Sequence, residues 1–293
     1  MRVLVTGASG NVGAVTAREF LDHGYEVVAL DRTPPPEDVR ARAAQVVYGD
    51  ITDRYALLRA AEGCDSVAHL AAIPSPGRHV DDQILHTNVV GTGHVLAAAE
   101  AHGIRHVALA STCCTFGIFF AHHPIDPQYL PMDEDHPVLP QDLYGLSKVL
   151  NEQTAAAYTR RTGMVTVCLR LTTVMDLGGE HVHWQQNRLH RNGTARAGDL
   201  WSYVDTRDAA RAFRLAVENP TSGSHVVIIA ARDSFTKEDV RDLVRTHYPS
   251  VAHFADRFER DDCLYDTRRA EEAIGFVAAR RWREVPELVN VVN

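Results

Sequence analysis

Tyr144 and Lys148 stand four residues apart in Tyr144-Gly-Leu-Ser-Lys148. On a helix, positions i and i+4 share a face, so the ammonium can stand beside the phenol. A cation there favours the phenolate and lowers the tyrosine pKa. A tyrosine poised nearer neutrality can take a proton from a hydroxyl or return one to a carbonyl. Alone, such a pair is an ordinary solvated helix face. Here it follows an apolar run ending in Ala110-Ser-Thr-Cys-Cys-Thr-Phe-Gly117. A hydroxyl at the carboxyl end of a parallel strand faces a ligand crevice. Thr112, assisted by Ser111, could hydrogen-bond a reacting oxygen and hold it near Tyr144.

A proton-transfer pair of this kind needs a partner that moves electrons. Thr6-Gly7-Ala-Ser-Gly10-Asn11-Val12-Gly13 sits between an expected strand and an expected helix. Three glycines at this spacing allow a sharp turn and let a pyrophosphate approach the helix N-terminus, where free N–H groups favour an anion. Asp31 ends the next strand. A carboxylate there can accept hydrogen bonds from both ribose hydroxyls and repels a 2′-phosphate, which favours NAD over NADP. Arg32 keeps NADP open, because a guanidinium can pair with that phosphate. Asp50 and Ile51 are expected along the adenine, with a nearby polar residue such as Thr52 as a helix cap. His69-Leu70-Ala71-Ala72 ends the fourth strand, where small residues leave room for the cofactor chain. His69 itself reads as a packed core histidine. Lys148 could also bind the nicotinamide ribose.

The elements that must hold these residues are legible as alternation. Strands are expected at Arg2–Thr6, Glu26–Leu30, Gln45–Tyr48, Ser66–Leu70, Arg105–Ala110 and Val165–Arg170. Helices are expected at Asn11–His23 and at about Asp53–Ala61, Asp82–His102 and Asp142–Thr162. Strands alternating with crossover helices imply an α/β fold with a doubly wound parallel sheet. From about Thr172 to Ser202 the pattern breaks. A helix at Thr206–Glu218 and a strand at His225–Ala230 follow. Another helix is expected from Thr236, where Thr236-Lys-Glu-Asp239 has capping-box spacing with Asp in place of Glu or Gln. The tail from about Val251 reads as a small mixed region. The expected division is residues 1–172 for the Rossmann-type dinucleotide part, with 203–231 returning to it. Residues 173–202 and 232–293 then form a small substrate-binding region.

Composition excludes other classes. The chain has 293 residues, 45% apolar and 23% charged, and a net charge of −8. A net acidic chain without a Lys/Arg run is a poor nucleic-acid binder. No apolar stretch approaches the roughly 20 residues needed to span a bilayer. Met1–Leu4 runs directly into the glycine motif, which argues against a signal peptide. The five cysteines show no metal-ligand spacing and read as reduced thiols in a cytoplasmic protein. His181 and His183 alternate as in some metal sites, with His190, His122, His123 and His136 nearby or elsewhere. No paired carboxylate or cysteine accompanies them, so no metal is expected.

These residues together resemble an extended short-chain dehydrogenase/reductase of the NAD-dependent epimerase/dehydratase type. The resemblance rests on Gly7, Gly10, Gly13, Asp31, His69–Ala72, Asn88 in Thr-Asn-Val-Val-Gly91, Ser111-Thr112, Tyr144 with Lys148, Arg170, and Trp201–Asp208. It implies a catalytic triad of Thr112, Tyr144 and Lys148. It also implies a role for Asn88 in supporting the helix that shapes the site and in binding the cofactor, and a homodimer through the helices near residues 84–102 and 142–162.

Departures from the family pattern narrow the chemistry. The dehydratases carry Asp-Glu after the catalytic Thr, where this chain has Cys113-Cys114, so dehydration is set aside. The cysteines read as small packed residues beside the cofactor. Nucleotide-sugar enzymes usually place an Asn where Thr173 stands, followed by a longer nucleotide-gripping segment. The abbreviated segment is similar to that of the uronate dehydrogenases, compact members that oxidise a free sugar acid. In that resemblance Arg196 falls where an arginine binds the substrate carboxylate, and Ser75 is a further substrate contact. The expectation is an NAD(P)-dependent oxidoreductase acting on a small sugar, sugar acid or polyol. A nucleotide-sugar 4-epimerase that retains NAD, and a non-catalytic NAD(P) sensor, are the alternatives.

Overall fold

The computed structural model describes residues 1–77, 79–179, 193–218 and 220–289. Its main sheet is built from runs that are apolar throughout because helices cover both faces. β1 (Arg2–Thr6) pairs in parallel with β2 (Glu26–Asp31) on one side and β4 (Ser66–His69) on the other. β3 (Gln45–Tyr48), β5 (His106–Thr112), β6 (Val165–Leu171) and β9 (Ser224–Ile229) complete the order β3-β2-β1-β4-β5-β6-β9, every pairing parallel. The chain therefore runs outward from β1 to β3, then returns to the middle at β4. This reversal opens a crevice beyond the carboxyl ends of β1 and β4.

Helices fill both faces. α1 (Asn11–Asp22) turns Ala14, Ala17 and Phe20 inward and packs on α7 (Thr206–Glu218). α2 (Glu37–Arg42) follows β2. α3 (Arg54–Ala61) is capped by Asp53, which accepts from the N–H groups of Tyr55 and Ala56. The cap expected from Thr52 is thus one residue later, and Thr52 donates to Asp50 instead. The helix expected over Asp82–His102 is three pieces: α4 (Asp81–Leu85), a π-turn at His86–Val90, and α5 (Gly91–Ala101). α6 (Leu143–Thr162) is held at its start by Asp142, which accepts from Gly145 N at 2.8 Å, and stops at Gly163 with φ +73°.

The stretch read as irregular holds a short ladder. β7 (Thr173–Met175) pairs in parallel with β8 (Tyr203–Asp205), outside the main sheet. α8 (Val240–His247) starts four residues after the expected Thr236. Asp239 is its cap, accepting from Arg241 N, while Thr236 Oγ1 accepts from Glu238 N in a local turn. The tail contains α9 (Arg268–Ile274) and α10 (Pro286–Val289). It is fastened by Asp208, whose carboxylate accepts from Ala279 N, Arg280 N and Arg280 Nη1. Tyr203 adds a second tie: its hydroxyl donates to Asp233 at 2.6 Å and accepts from Trp282 N. Among the described residues, no helix is long and apolar enough to cross a membrane.

Candidate active site

The glycine loop shapes the first half of the site. Gly7 has φ +75°, and a Cβ there would meet Ala71 N at 2.7 Å. A Cβ at Gly13 would fall on the Gly7 carbonyl oxygen. The loop can therefore fold over the end of β1 only with glycine at these positions. Gly10 caps α1 without a side-chain hydrogen bond, which leaves the first N–H groups of the helix available to an anion. Gly7, Gly10, Asn11, Val12 and Gly13 line one wall of a cavity of about 1090 Å³.

A side recess of about 140 Å³ opens from the same loop and is lined by Asp31, Arg32, Asp50, Ile51, Leu70, Ala71 and Ala72. Asp31 accepts from Ser9 N at 3.0 Å and from Thr33 N at 3.2 Å. Burial pushes its carboxyl up, but the hydrogen bonds from Ser9 and Thr33 outweigh this and hold it below the usual range. Arg32 is mostly exposed, with Nη1 3.7 Å from Asp50 Oδ2.

The second half lies across the sheet. Thr112, Tyr144 and Lys148 all line the large cavity, so the structure brings the expected triad together. Thr112 ends β5, and Tyr144 and Lys148 share one face in the first turns of α6. Lys148 Nζ lies 5.8 Å from the Tyr144 ring centre and donates to Ala110 O at 2.9 Å. Burial lowers the Lys148 ammonium to about 8. The expectation of a lowered tyrosine pKa is not met by the protein alone. Burial pushes the Tyr144 phenol well above its ordinary value, and the Thr112 hydroxyl only partly opposes this. Lys148 is turned to the β5 carbonyl and does not offset the loss of water around the phenol.

Beneath the site lies a buried ion pair that sequence reasoning missed. Ser111 donates to Glu152 at 2.6 Å. Glu152 is gripped by Arg170 Nε and Nη2, both at 2.9 Å, and each partner is only 5% exposed. Glu152 follows Lys148 by four residues on α6, so the helical face alone could have pointed to it. Cys113 Sγ donates to Arg170 O. Burial pushes the Cys114 thiol up to about 12 and the Cys113 thiol well above its ordinary value, so neither is a thiolate near neutral pH.

The remaining residues singled out in the sequence fall both inside and outside the cavity. Asn88 is fully buried and does not line the cavity. Its Oδ1 accepts from Ile73 N, and its Nδ2 donates to Ile73 O and Ser147 Oγ, tying the loop after β4 to α6. His69 is a core residue, bonded through its two ring nitrogens to Thr6 and Thr92. Ser75 does not line the cavity, although its neighbour Pro74 does. Thr173 lines it and donates to Asp199 at 2.9 Å. Arg196 corrects the expectation of a free carboxylate fork. Its Nε and Nη2 bind Asp199, Nη1 binds Phe235 O, and Nη2 also binds Ser202 O. An acid three residues away closes that pair internally.

His122 and His123 are exposed, and His136 binds Gln128 N. His181, His183 and His190 lie outside the described residues. Among the described residues, no group of three or more His, Cys, Asp or Glu could hold a metal ion. Unforeseen lining residues include Phe119, Phe120, Asp176, Asp199 and Tyr265. Of these, the Phe119-Phe120 pair after Gly117 carried a local signal.

Comparison with known proteins places the chain in a family. The chain belongs to the NAD-dependent epimerase/dehydratase family, whose model matches residues 3–230. It is thus an enzyme of the extended short-chain dehydrogenase/reductase type. A UDP-glucose 4-epimerase of Corynebacterium glutamicum is 28% identical over 94% of this chain and 90% of its own. A uronate dehydrogenase of Pseudomonas syringae is 28% identical over 80% of this chain and 76% of its own. A short-chain dehydrogenase/reductase superfamily protein from Agrobacterium tumefaciens, solved with bound NAD, superposes with a TM-score of 0.71 at 24% identity. That match covers 99% of this chain and 97% of the other.

Proposed function

We propose that this enzyme is an NAD-dependent dehydrogenase or reductase of a small, free carbohydrate or polyol. The observation that carries the reading is the convergence of Thr112, Tyr144 and Lys148 on one cavity whose other wall is the uncapped N-terminus of α1. The glycine loop and that helix terminus would hold the pyrophosphate, Asp31 the adenosine ribose, and Lys148 the nicotinamide ribose. NAD, when bound, supplies hydride transfer and a positive ring near Tyr144. Tyr144 takes the proton from a substrate hydroxyl in oxidation and returns it to the carbonyl oxygen in reduction. Thr112 donates a hydrogen bond to that oxygen and fixes it beside the phenol. Lys148 keeps a cation close as the phenol loses its proton. The added positive charge opposes the burial that holds Tyr144 high in the protein alone. Cys113 and Cys114, both held as thiols, take no part in proton transfer.

A nucleotide-sugar 4-epimerase is the second reading, favoured by the match to the C. glutamicum enzyme over 94% of this chain. The two part over the fate of the cofactor. The purified protein is mixed with NAD or NADP and a panel of aldoses, polyols and uronic acids, and reduced nicotinamide is followed by absorbance. Steady growth with one substrate, abolished in Tyr144→Phe with cofactor affinity retained, is the expected result. A flat trace with tightly held NAD and interconversion of UDP-sugars would establish the epimerase instead.

A further inference from the structure

The nine tyrosines sort by what their hydroxyls do. Tyr48 and Tyr55 are exposed. Five others donate to a carboxylate or a carbonyl: Tyr25 to Glu218, Tyr129 to Asp133, Tyr158 to Gly93 O, Tyr203 to Asp233 and Tyr248 to Ala197 O. Tyr144 and Tyr265 remain, and these two line the cavity. Tyr144 has a chemical task. Tyr265 has none in the proton transfer, yet it is only 7% exposed and its hydroxyl has no hydrogen-bond partner among the described residues. A phenol in a cavity wall with no protein partner is free to donate to or accept from a ligand there.

Its ring is not free to turn elsewhere. Met132 N donates to Leu264 O and Asp266 N to Met132 O, which pins the backbone on both sides of Tyr265. The ring stacks on Phe116 with centres 6.0 Å apart and planes 25° from parallel. The tail thus delivers one rigid phenol to the cavity that also holds Tyr144.

The described part of the wall carries acids. Asp176 and Asp199 line the same cavity, and Asp199 acts electrostatically on Tyr265. Arg196, the arginine expected at a substrate carboxylate, is committed to Asp199. The cations that line the cavity among the described residues are Lys148 and Arg18. The latter is held by Asp38 on the glycine-loop side. Phe119 and Phe120 offer ring faces suited to the C–H face of a sugar.

We propose that Tyr265 is a substrate-binding residue, hydrogen-bonded to a hydroxyl of a neutral polyhydroxylated substrate that spans from it to Tyr144. The proposal rests on the dehydrogenase reading and narrows its substrate to an uncharged aldose or polyol rather than a sugar acid. It is tested with Tyr265→Phe, which keeps the ring on Phe116. The enzyme and the variant are assayed with NAD, a panel of aldoses and polyols, the matching uronic acids, and deoxy analogues of the best substrate. KM for the best neutral substrate rises about tenfold in the variant, the effect of losing one hydrogen bond. In the same variant kcat stays within about twofold, and the Kd for NAD does not change. One deoxy analogue shows the same KM with both proteins, because it lacks the hydroxyl that Tyr265 would bind.

Equal KM values for both proteins on every substrate would overturn the proposal, as would a uronic acid preferred over its aldose. Either result leaves the dehydrogenase reading standing. Turnover of UDP-sugars alone would remove both.

Discussion

The Glu152–Arg170 pair gives a measurable test of how the site is held. Its two hydrogen bonds are both 2.9 Å, and both side chains are 5% exposed. Replacing Glu152 with Met leaves the Arg170 guanidinium buried, with only the 3.3 Å bond from Nη1 to Glu134 O to satisfy it. Breaking such a pair from one side costs about 3–5 kcal/mol. Ser111 loses its acceptor as well, adding roughly 1 kcal/mol. Against a total stability of about 5–15 kcal/mol, this is a large fraction. Arg170→Met should cost a similar amount. The double variant replaces the pair with apolar groups of comparable size, and should recover most of the loss because no charge is stranded. Urea unfolding followed by tryptophan fluorescence measures all three, compared at constant slope. A single variant losing less than about 1 kcal/mol would refute the reasoning. So would a double variant losing the sum of the two singles.

Three further outcomes follow from the geometry. Gly13→Ala should abolish NAD binding and lower the melting temperature, because its methyl would strike the Gly7 carbonyl. Isothermal titration and thermal unfolding check this, and undiminished NAD affinity would contradict it. Lys148→Met should remove turnover yet stabilise the fold at pH 7. Burial lowers the folded lysine from 10.5 to about 8, so its charge costs stability below pH 8, and that cost fades as pH rises toward 10.5. The gain over the parent should therefore shrink across that window in urea titrations, and a variant weaker than the parent at pH 7 would overturn the argument. Asp31→Ser should narrow the preference for NAD over NADP by removing the carboxylate that repels a 2′-phosphate. Paired Kd values for the two cofactors would show it, and an unchanged ratio would count against it.

What the chain disclosed in advance was local and periodic. β1, β2 and α6 were readable because apolar runs and helical periodicity lie within the elements they define. Tyr144 and Lys148 were readable because a helix turns spacing into proximity. Arg196 was misread because its fork is filled within the protein, by Asp199 and the Ser202 carbonyl nearby in the chain and by the distant Phe235 carbonyl brought in by tertiary packing. β7 and β8 escaped notice because three residues carry no measurable alternation. The π-turn around Asn88 keeps a helical pattern of apolar residues, so the sequence reads through it as one helix. Tyr265 had no local sign at all. It reaches the cavity through the bridge to Met132, a contact between distant segments. The Rossmann-type sheet and its glycine loop are therefore written in short-range pattern, while substrate contacts depend on which distant loops the fold gathers.

The last strand to join the sheet has a consequence for synthesis. β6 pairs with β5 soon after both have emerged, but its other edge must wait for Ser224–Ile229. Until then the Val165–Leu171 strand presents an unpaired apolar edge, the kind that captures other chains. Non-local pairing of this sort also slows folding. The topology predicts that a chain truncated before Ser224 aggregates more readily than the full chain, which light scattering of the two would show. Slower growth temperature or chaperone supply acts on that interval and leaves the finished fold untouched.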